Sequence, residues 1–111
     1  MTDDISGQTA RQQIYSTAVA MKDGSLNYLA GSIMLERLRR EIGAYENDPV
    51  FMPFIAVLAE IDSLDIGRDP SKWSADTINA TEPEIAQAIE WARSVSLLEC
   101  ESLIKRYETA K

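Results

Sequence analysis

Apolar residues recur at intervals of three and four along most of this chain. That spacing is typical of helices that bury one face, and no stretch shows the sustained alternation typical of a strand. The pattern predicts four helices, at about residues 8–22, 26–42, 49–61 and 81–107. We therefore expect an all-α protein.

Residues suited to helix ends indicate where these helices begin and stop. Ser6 and Ser25 are candidate N-caps of the first two helices, because a serine hydroxyl can accept a bond from a free backbone N–H. Gly43 suits the left-handed conformation that often follows a last helical turn. Residues 81–84 have the composition of a capping box, so the fourth helix is predicted to begin there.

The third helix is the most apolar of the four, over residues 50–61, and this predicts that it is the central and most buried one. Asp48 followed by Pro49 suits its first turn. Pro53 lacks the N–H that a helix starting at Pro49 needs at this position. We therefore expect either a kink or a later start.

Two of the connections between helices are short, and one is long. Residues 63–80 form a connection of roughly 18 residues, whereas about 2–8 are usual in helical bundles. Such a connection is typically functional or contains short structure of its own, and residues 74–77 suit one helical turn. The sequence thus predicts a single domain over residues 1–111, a compact bundle of about four helices with mostly antiparallel neighbours. One long loop joins its third and fourth helices.

Charge is concentrated in the middle of the chain. The net charge is −7 over 111 residues, and within residues 46–84 nine acidic residues stand against two basic ones, which accounts for the whole excess. Phosphate binding requires clustered Lys and Arg, so we expect no direct contact with nucleic acid or with an anionic membrane. The start of the chain lacks the features of a signal peptide, and no apolar run approaches the roughly 20 residues that span a bilayer. These features predict a cytoplasmic protein.

The residue types of most catalytic and metal sites are missing. The chain has no histidine and one cysteine, Cys100, which we expect to pack in the core, so Cys-His pairs and common zinc sites are excluded. Glu60 and Asp62 could act as an acid/base pair. Asp62, Asp65 and Asp69 could bind a hard cation, although their spacing does not match a calcium loop. We favour solvation of a helix end and a surface loop, and predict neither an enzyme nor a bound cofactor.

The tryptophans and an arginine cluster each have two interpretations. Trp91, near the apolar face of the fourth helix, is interpreted as structural. Trp73 lies in the long connection, where it either plugs the loop onto the bundle or anchors a partner, a role that aromatic residues often take. Arg37, Arg39 and Arg40 are more typical of a solvated helix end than of a nucleic-acid site.

Two blocks of the sequence resemble a family of small bacterial helical proteins. Residues 48–55, continuing through residues 60–67 to Trp73, are similar to that family's pattern D-P-x-F-x-P-F, then E-T-D-x-L-P-L-G-x-x-R-x-x-W. Residues 24–31 are similar to its G-x-x-x-Y-L-x-G stretch. Ile61 replaces the Thr of E-T-D, and Asp65 replaces a Pro. The resemblance implies a small bacterial helical fold and leaves function open.

The leading functional hypothesis is a non-catalytic, protein-binding inhibitor. Such an immunity or antitoxin-like protein would neutralise a bacterial toxin that acts in the cytoplasm. Toxins that attack nucleic acids are commonly basic, so an acidic loop surface can cover their active sites. The predicted contact residues are Asp62, Asp65, Asp69 and Trp73, with Glu60 and Arg68 organising the loop.

The alternative is a structural or adaptor helical module. It would form a homodimer that buries spare apolar surface on the second helix. A pocket for a small molecule between helices is a further possibility, because such a pocket leaves no fixed signature in a sequence.

Overall fold

A computed structural model describes residues 2–43 and 48–108, with side chains from residue 10 onward. These residues form four long helices and one short helix, with no strand among them. The helices are α1 (Thr2–Asp23), α2 (Tyr28–Glu41), α3 (Met52–Ser63), the one-turn α4 (Ala75–Ile78) and α5 (Pro83–Tyr107). The predicted all-α bundle of about four helices is therefore confirmed.

The predicted starts of the first two helices are wrong. α1 already begins at Thr2, before Ser6. α2 begins at Tyr28, and the Asn27 side chain, rather than that of Ser25, accepts from the Ala30 N–H at 2.8 Å. The Ser25 hydroxyl instead donates to the Asp23 carboxylate at 2.7 Å, so it belongs to the turn that joins α1 to α2.

Gly43, by contrast, follows the end of α2 with a φ of 76°, as its predicted left-handed role requires.

The long connection was predicted to hold one helical turn, and this turn exists as α4, with Ser74 as its N-cap. The predicted capping box at the start of α5 is wrong. Glu82 occupies the cap position without a side-chain cap bond, and the Thr81 hydroxyl donates to the Asp76 carbonyl at 3.3 Å. Thr81 therefore closes the end of α4 instead of opening α5.

A 3-10 turn over Pro49–Phe51 precedes α3. The Asp48 carboxylate accepts from the Val50 N–H at 3.2 Å and caps this turn. α3 itself begins at Met52, so Pro53 lies in its first turn, where a missing N–H costs nothing. Of the two predicted outcomes, a kink or a later start, the later start is the observed one.

The most buried helix is α2, and the prediction that the third helix is central is wrong. Ten of the fourteen residues of α2 are buried, compared with four of the twelve in α3. The reason is position: α2 packs against α1, α3 and α5, whereas α3 packs against α2 and α5 and leaves Met52 exposed. Among the described residues, no helix has both the length and the apolar character to cross a membrane.

The core is formed from every long helix. Its largest fully buried side chains include Ile14 and Met21 of α1, Leu29 and Leu35 of α2, Phe51, Phe54 and Ile61 around α3, and Leu103 of α5. Cys100 is also fully buried, as expected. Gly31 allows α1 and α2 to approach closely, because a Cβ at this position would overlap the Met21 side chain. The sequence analysis gave this glycine no role.

Candidate protein-binding surface

Residues 64–82 join α3 to α5 and are called the connection below. They contain a 3-10 turn, Pro70–Lys72, followed by α4. Side chains from within the connection cap both elements: Asp69 accepts from the Ser71 N–H at 3.1 Å, and Ser74 accepts from the Thr77 N–H at 3.2 Å. The connection is thus a folded segment whose local structure is specified by its own polar residues.

Arg68 closes the first part of the connection onto the end of α3. Its Nε and Nη2 donate to the two carboxylate oxygens of Asp62 at 3.0 and 2.8 Å, which is the paired geometry that arginine makes with a carboxylate. This hydrogen bonding lowers the pKa of Asp62 and raises the pKa of Arg68. Asp65 and Gly67 turn the chain between them, with φ values of 58° and 79°. The sequence analysis had assigned Arg68 to such an organising role.

Trp73 packs into the bundle and holds the connection against it. Its side chain is 7% exposed, and its Nε1 donates to the Gly67 carbonyl at 2.9 Å. Of the two interpretations given to Trp73, this geometry favours the plug. A partner can contact a ring this buried only where part of the ring lines a groove at the surface.

The predicted acidic residues separate into two groups. Asp62 and Asp69 accept hydrogen bonds from Arg68 and Ser71, respectively. The Ser71 hydroxyl, and then the Ser71 N–H, lower the pKa of Asp69. Asp65 is exposed and Glu60 is partly exposed, and neither forms an ion pair with another described residue. Asp65 is therefore the predicted contact residue that is most available to a partner.

Arginines of α2 lie beside the connection, a neighbourhood that the sequence analysis missed. Arg37, Arg40 and Arg68 border one shallow cleft of about 170 Å³ together with Glu36, which pairs with Arg40 at 2.7 Å. Arg37 also contributes to the lowered pKa of Asp69. This side of the connection is therefore mixed in charge rather than wholly acidic, and only the fold brings the two segments together.

Uncompensated negative charge remains along the rest of the connection and its flanks. Residues 60–84 contain seven acidic and two basic residues, an excess of five negative charges. Within the part of the chain that the structure describes, four of these carboxylates are exposed and form neither an ion pair nor a side-chain hydrogen bond. They are Asp65, Asp76, Glu82 and Glu84.

An open groove lies between the connection and the turn that joins α1 to α2. It has a volume of about 480 Å³, and its walls include Leu26, Asn27, Ala30, Ser71, Trp73 and Ile78. We call it the apolar groove. Ile78, one of its wall residues, is 51% exposed, and the buried Trp73 also lines it. A second cleft of about 340 Å³ shares Leu26, Asn27 and Ile78 with the groove and continues past Met21 and Ile89.

Metal binding and nucleophilic chemistry were both considered for the described residues. No three of their His, Cys, Asp or Glu side chains converge on a point that could hold a metal, so Asp62, Asp65 and Asp69 do not form the cation cluster considered above. Burial, and then Glu99 and Glu101, raise the pKa of the Cys100 thiol to about 12. A thiol with that pKa is protonated at neutral pH and is a poor nucleophile.

Fold and surface together define an all-α bundle with a folded acidic connection beside an apolar groove. No family model, curated protein or solved structure matches this chain. The resemblance to a family of bacterial helical proteins stays a prediction.

Proposed function

We propose that this chain is a non-catalytic protein-binding domain, whose partner is a basic protein that inserts an apolar side chain into the apolar groove. The carrying observation is that the connection, which forms one wall of that groove, also carries uncompensated carboxylates. An apolar centre with a polar, charged rim is the usual anatomy of a protein interface.

The more specific proposal is an inhibitor of the immunity or antitoxin type, which neutralises a toxin in the cytoplasm. An excess of five negative charges over residues 60–84 attracts a basic partner and speeds its approach. A toxin that acts on nucleic acid needs a basic surface, and covering that surface would block the toxin. The absence of histidine and the protonated Cys100 support a role without catalysis.

The order of the connection supports binding as well. The hydrogen bonds Asp62–Arg68, Trp73–Gly67 and Asp69–Ser71 hold its first half in place. A loop that is already folded loses less conformational entropy when a partner binds, and this leaves more of the contact energy as affinity. In this proposal Asp62, Arg68, Asp69 and Trp73 shape the surface, and Asp65 meets the partner.

The test is capture of partners from bacterial lysate on the tagged protein at low and moderate salt, followed by mass spectrometry. We expect one stoichiometric basic protein that is lost as salt rises. The decisive variant is Asp65→Asn with Asp76→Asn, because asparagine keeps the size of aspartate and tolerates the positive φ of Asp65. Its control, Glu41→Gln with Glu108→Gln, removes the same charge from exposed positions outside the connection.

The two double variants separate a local site from general electrostatics. Weaker capture by the aspartate pair alone supports the proposed surface. Equal weakening by both pairs means that only net charge matters, and this contradicts the site. A third variant, Ile78→Arg, places bulk and positive charge in the wall of the groove, and retained capture would exclude the groove as the anchor.

A further inference from the structure

Helix α5 carries exposed apolar residues on the side that faces away from the bundle. Leu98 is 72% exposed, Trp91 40% and Val95 37%, so three of the exposed large hydrophobic side chains lie on this one helix. We call these three residues the α5 stripe. Trp91 was interpreted from the sequence as a structural residue near the apolar face of this helix. That face is instead formed by Ile85, Ala88, Ala92, Ser96, Cys100 and Leu103.

The stripe is one continuous surface. Its residues stand four and then three positions apart, so they lie on the same side of a helix with 3.6 residues per turn. Two exposed residues extend this surface in seven-residue steps, Glu84 before Trp91 and Lys105 after Leu98. Residues seven apart differ by only about 20° around a straight helix. Glu84, Trp91, Leu98 and Lys105 therefore form a row about 31 Å long.

This row is complementary to itself in the antiparallel direction. A two-fold axis that passes between Ser94 and Val95 brings Trp91 of one copy opposite Leu98 of the other. The same axis brings Glu84 opposite Lys105, at both ends of the contact. Apolar residues thus meet at the centre and opposite charges meet at the rim, in a contact that uses the same patch on both copies, as two-fold dimers do.

From this order of residues we infer that the α5 stripe is a dimerisation surface, and that its occupant is a second copy of this chain packed antiparallel. The charge order favours a second copy over the basic partner proposed above, because Lys105 would repel a basic partner, whereas Glu84 of a second copy attracts it. The sequence predicted such a dimerisation surface on the second helix, whereas the α5 stripe lies on the last helix. Among the described residues of α2, Met34 is the one exposed large hydrophobic side chain.

The first experiment is sedimentation equilibrium of the whole chain from about 10 µM to 1 mM, the range of weak self-association. We expect a monomer–dimer equilibrium within this range. Leu98→Glu should weaken it by about tenfold or more, because it removes the most exposed apolar contact and adds a charge there. Met52→Glu is the matched control. Met52 is 48% exposed on α3, so this variant also replaces an exposed apolar side chain by a carboxylate, but away from the stripe.

Charge reversals test the antiparallel register. Glu84→Lys alone and Lys105→Glu alone should each weaken the dimer about threefold, because each creates two like-charge pairs across the axis. The double variant Glu84→Lys with Lys105→Glu restores both pairs and should recover the original dissociation constant. Circular dichroism of each variant checks that the helices are intact.

Each outcome bears on the inference. A monomer at every concentration overturns it. A dimer that responds equally to Leu98→Glu and Met52→Glu assigns the contact to another face. Loss on Leu98→Glu without recovery in the double charge reversal rejects the antiparallel arrangement. Asp65→Asn with Asp76→Asn should leave the dimer unchanged, so a failure of this inference and a failure of the proposed partner site give different results.

Discussion

Helix α2 and the connection between α3 and α5 are held in place by different forces. α2 is in contact with three other long helices, and ten of its fourteen residues are buried. The connection buries Trp73 and Thr77 and packs Leu64, Ile66 and Ala80 partly against the core. Hydrogen bonds between neighbouring residues supply much of its remaining order. The comparison teaches that packing fixes the bundle, whereas local polar contacts fix the surface proposed to bind. Tyr28 in α2 and Trp73 in the connection are both buried aromatic residues, so the difference can be measured as the free energy of unfolding of their variants.

The largest effect should come from the core around α2. Leu35 is fully buried there, and Leu35→Ala removes contacts that the surrounding helices cannot fully replace. We expect a loss of about 2–5 kcal/mol in the free energy of unfolding, measured by urea denaturation. Met34→Ala, on the exposed side of the same helix, is the control and should cost far less. A loss below about 1 kcal/mol for Leu35→Ala would mean that α2 is not the packing centre.

The connection should lose less when its anchor is weakened. Trp73→Phe keeps an aromatic ring in the bundle but removes the Nε1 donor to the Gly67 carbonyl. We expect a loss of about 1–2 kcal/mol in the free energy of unfolding, because the carbonyl loses its partner and the smaller ring leaves space. Hydrogen exchange should quicken in the connection and stay unchanged in α2. Uniform quickening across both regions would contradict the separation drawn here.

Helical periodicity was sufficient for the fold class but not for the depth of each helix. α3 is the more apolar sequence, yet α2 is the more buried helix, because α2 packs against three long helices and α3 against two. Gly31 shows the same limit, since its importance comes from Met21 on another helix. The cap of α2 was misplaced by two residues because Asn27 accepts from the Ala30 N–H, whereas the Ser25 hydroxyl donates to Asp23.

The residues of the candidate surface are visible in the sequence, but most of their contacts are not. The run of acids and Trp73 are visible in the sequence, and so is the possible turn at residues 74–77. Three features depend on the path of the connection in the folded chain. Arg68 hydrogen-bonds Asp62, Trp73 is buried, and Arg37 is close enough to Asp69 to lower its pKa. The apolar groove combines the α1–α2 turn with α4, two segments far apart in the sequence.

Tyr28 supplies the opposite case to Trp73. It lies at the start of α2 and is 4% exposed, but its hydroxyl is buried without a hydrogen-bond partner among the described residues. Burial raises its pKa, so the hydroxyl stays protonated at neutral pH. Tyr28→Phe removes this unsatisfied group and should raise the free energy of unfolding by about 1 kcal/mol. Opposite signs for Trp73→Phe and Tyr28→Phe would confirm the comparison, and a destabilising Tyr28→Phe would contradict it.

The smallest effect concerns acid sensitivity at the contact between the end of α3 and the connection. Hydrogen bonding to Arg68 lowers the pKa of Asp62 below its ordinary value of 3.8, and Ser71 lowers the pKa of Asp69. A carboxyl whose pKa is lower in the folded state adds stability above its unfolded pKa, and this stability is lost as the pH falls through the folded pKa. Asp62→Asn should therefore flatten the fall in stability below about pH 4 without changing its course above pH 6. Both carboxyls are exposed, so the change will be modest, and Glu41→Gln is the matched control. An unchanged acid limb in Asp62→Asn would show that the Asp62–Arg68 contact adds nothing to the stability of the connection. The order of the proposed surface would then rest on Trp73 and Asp69.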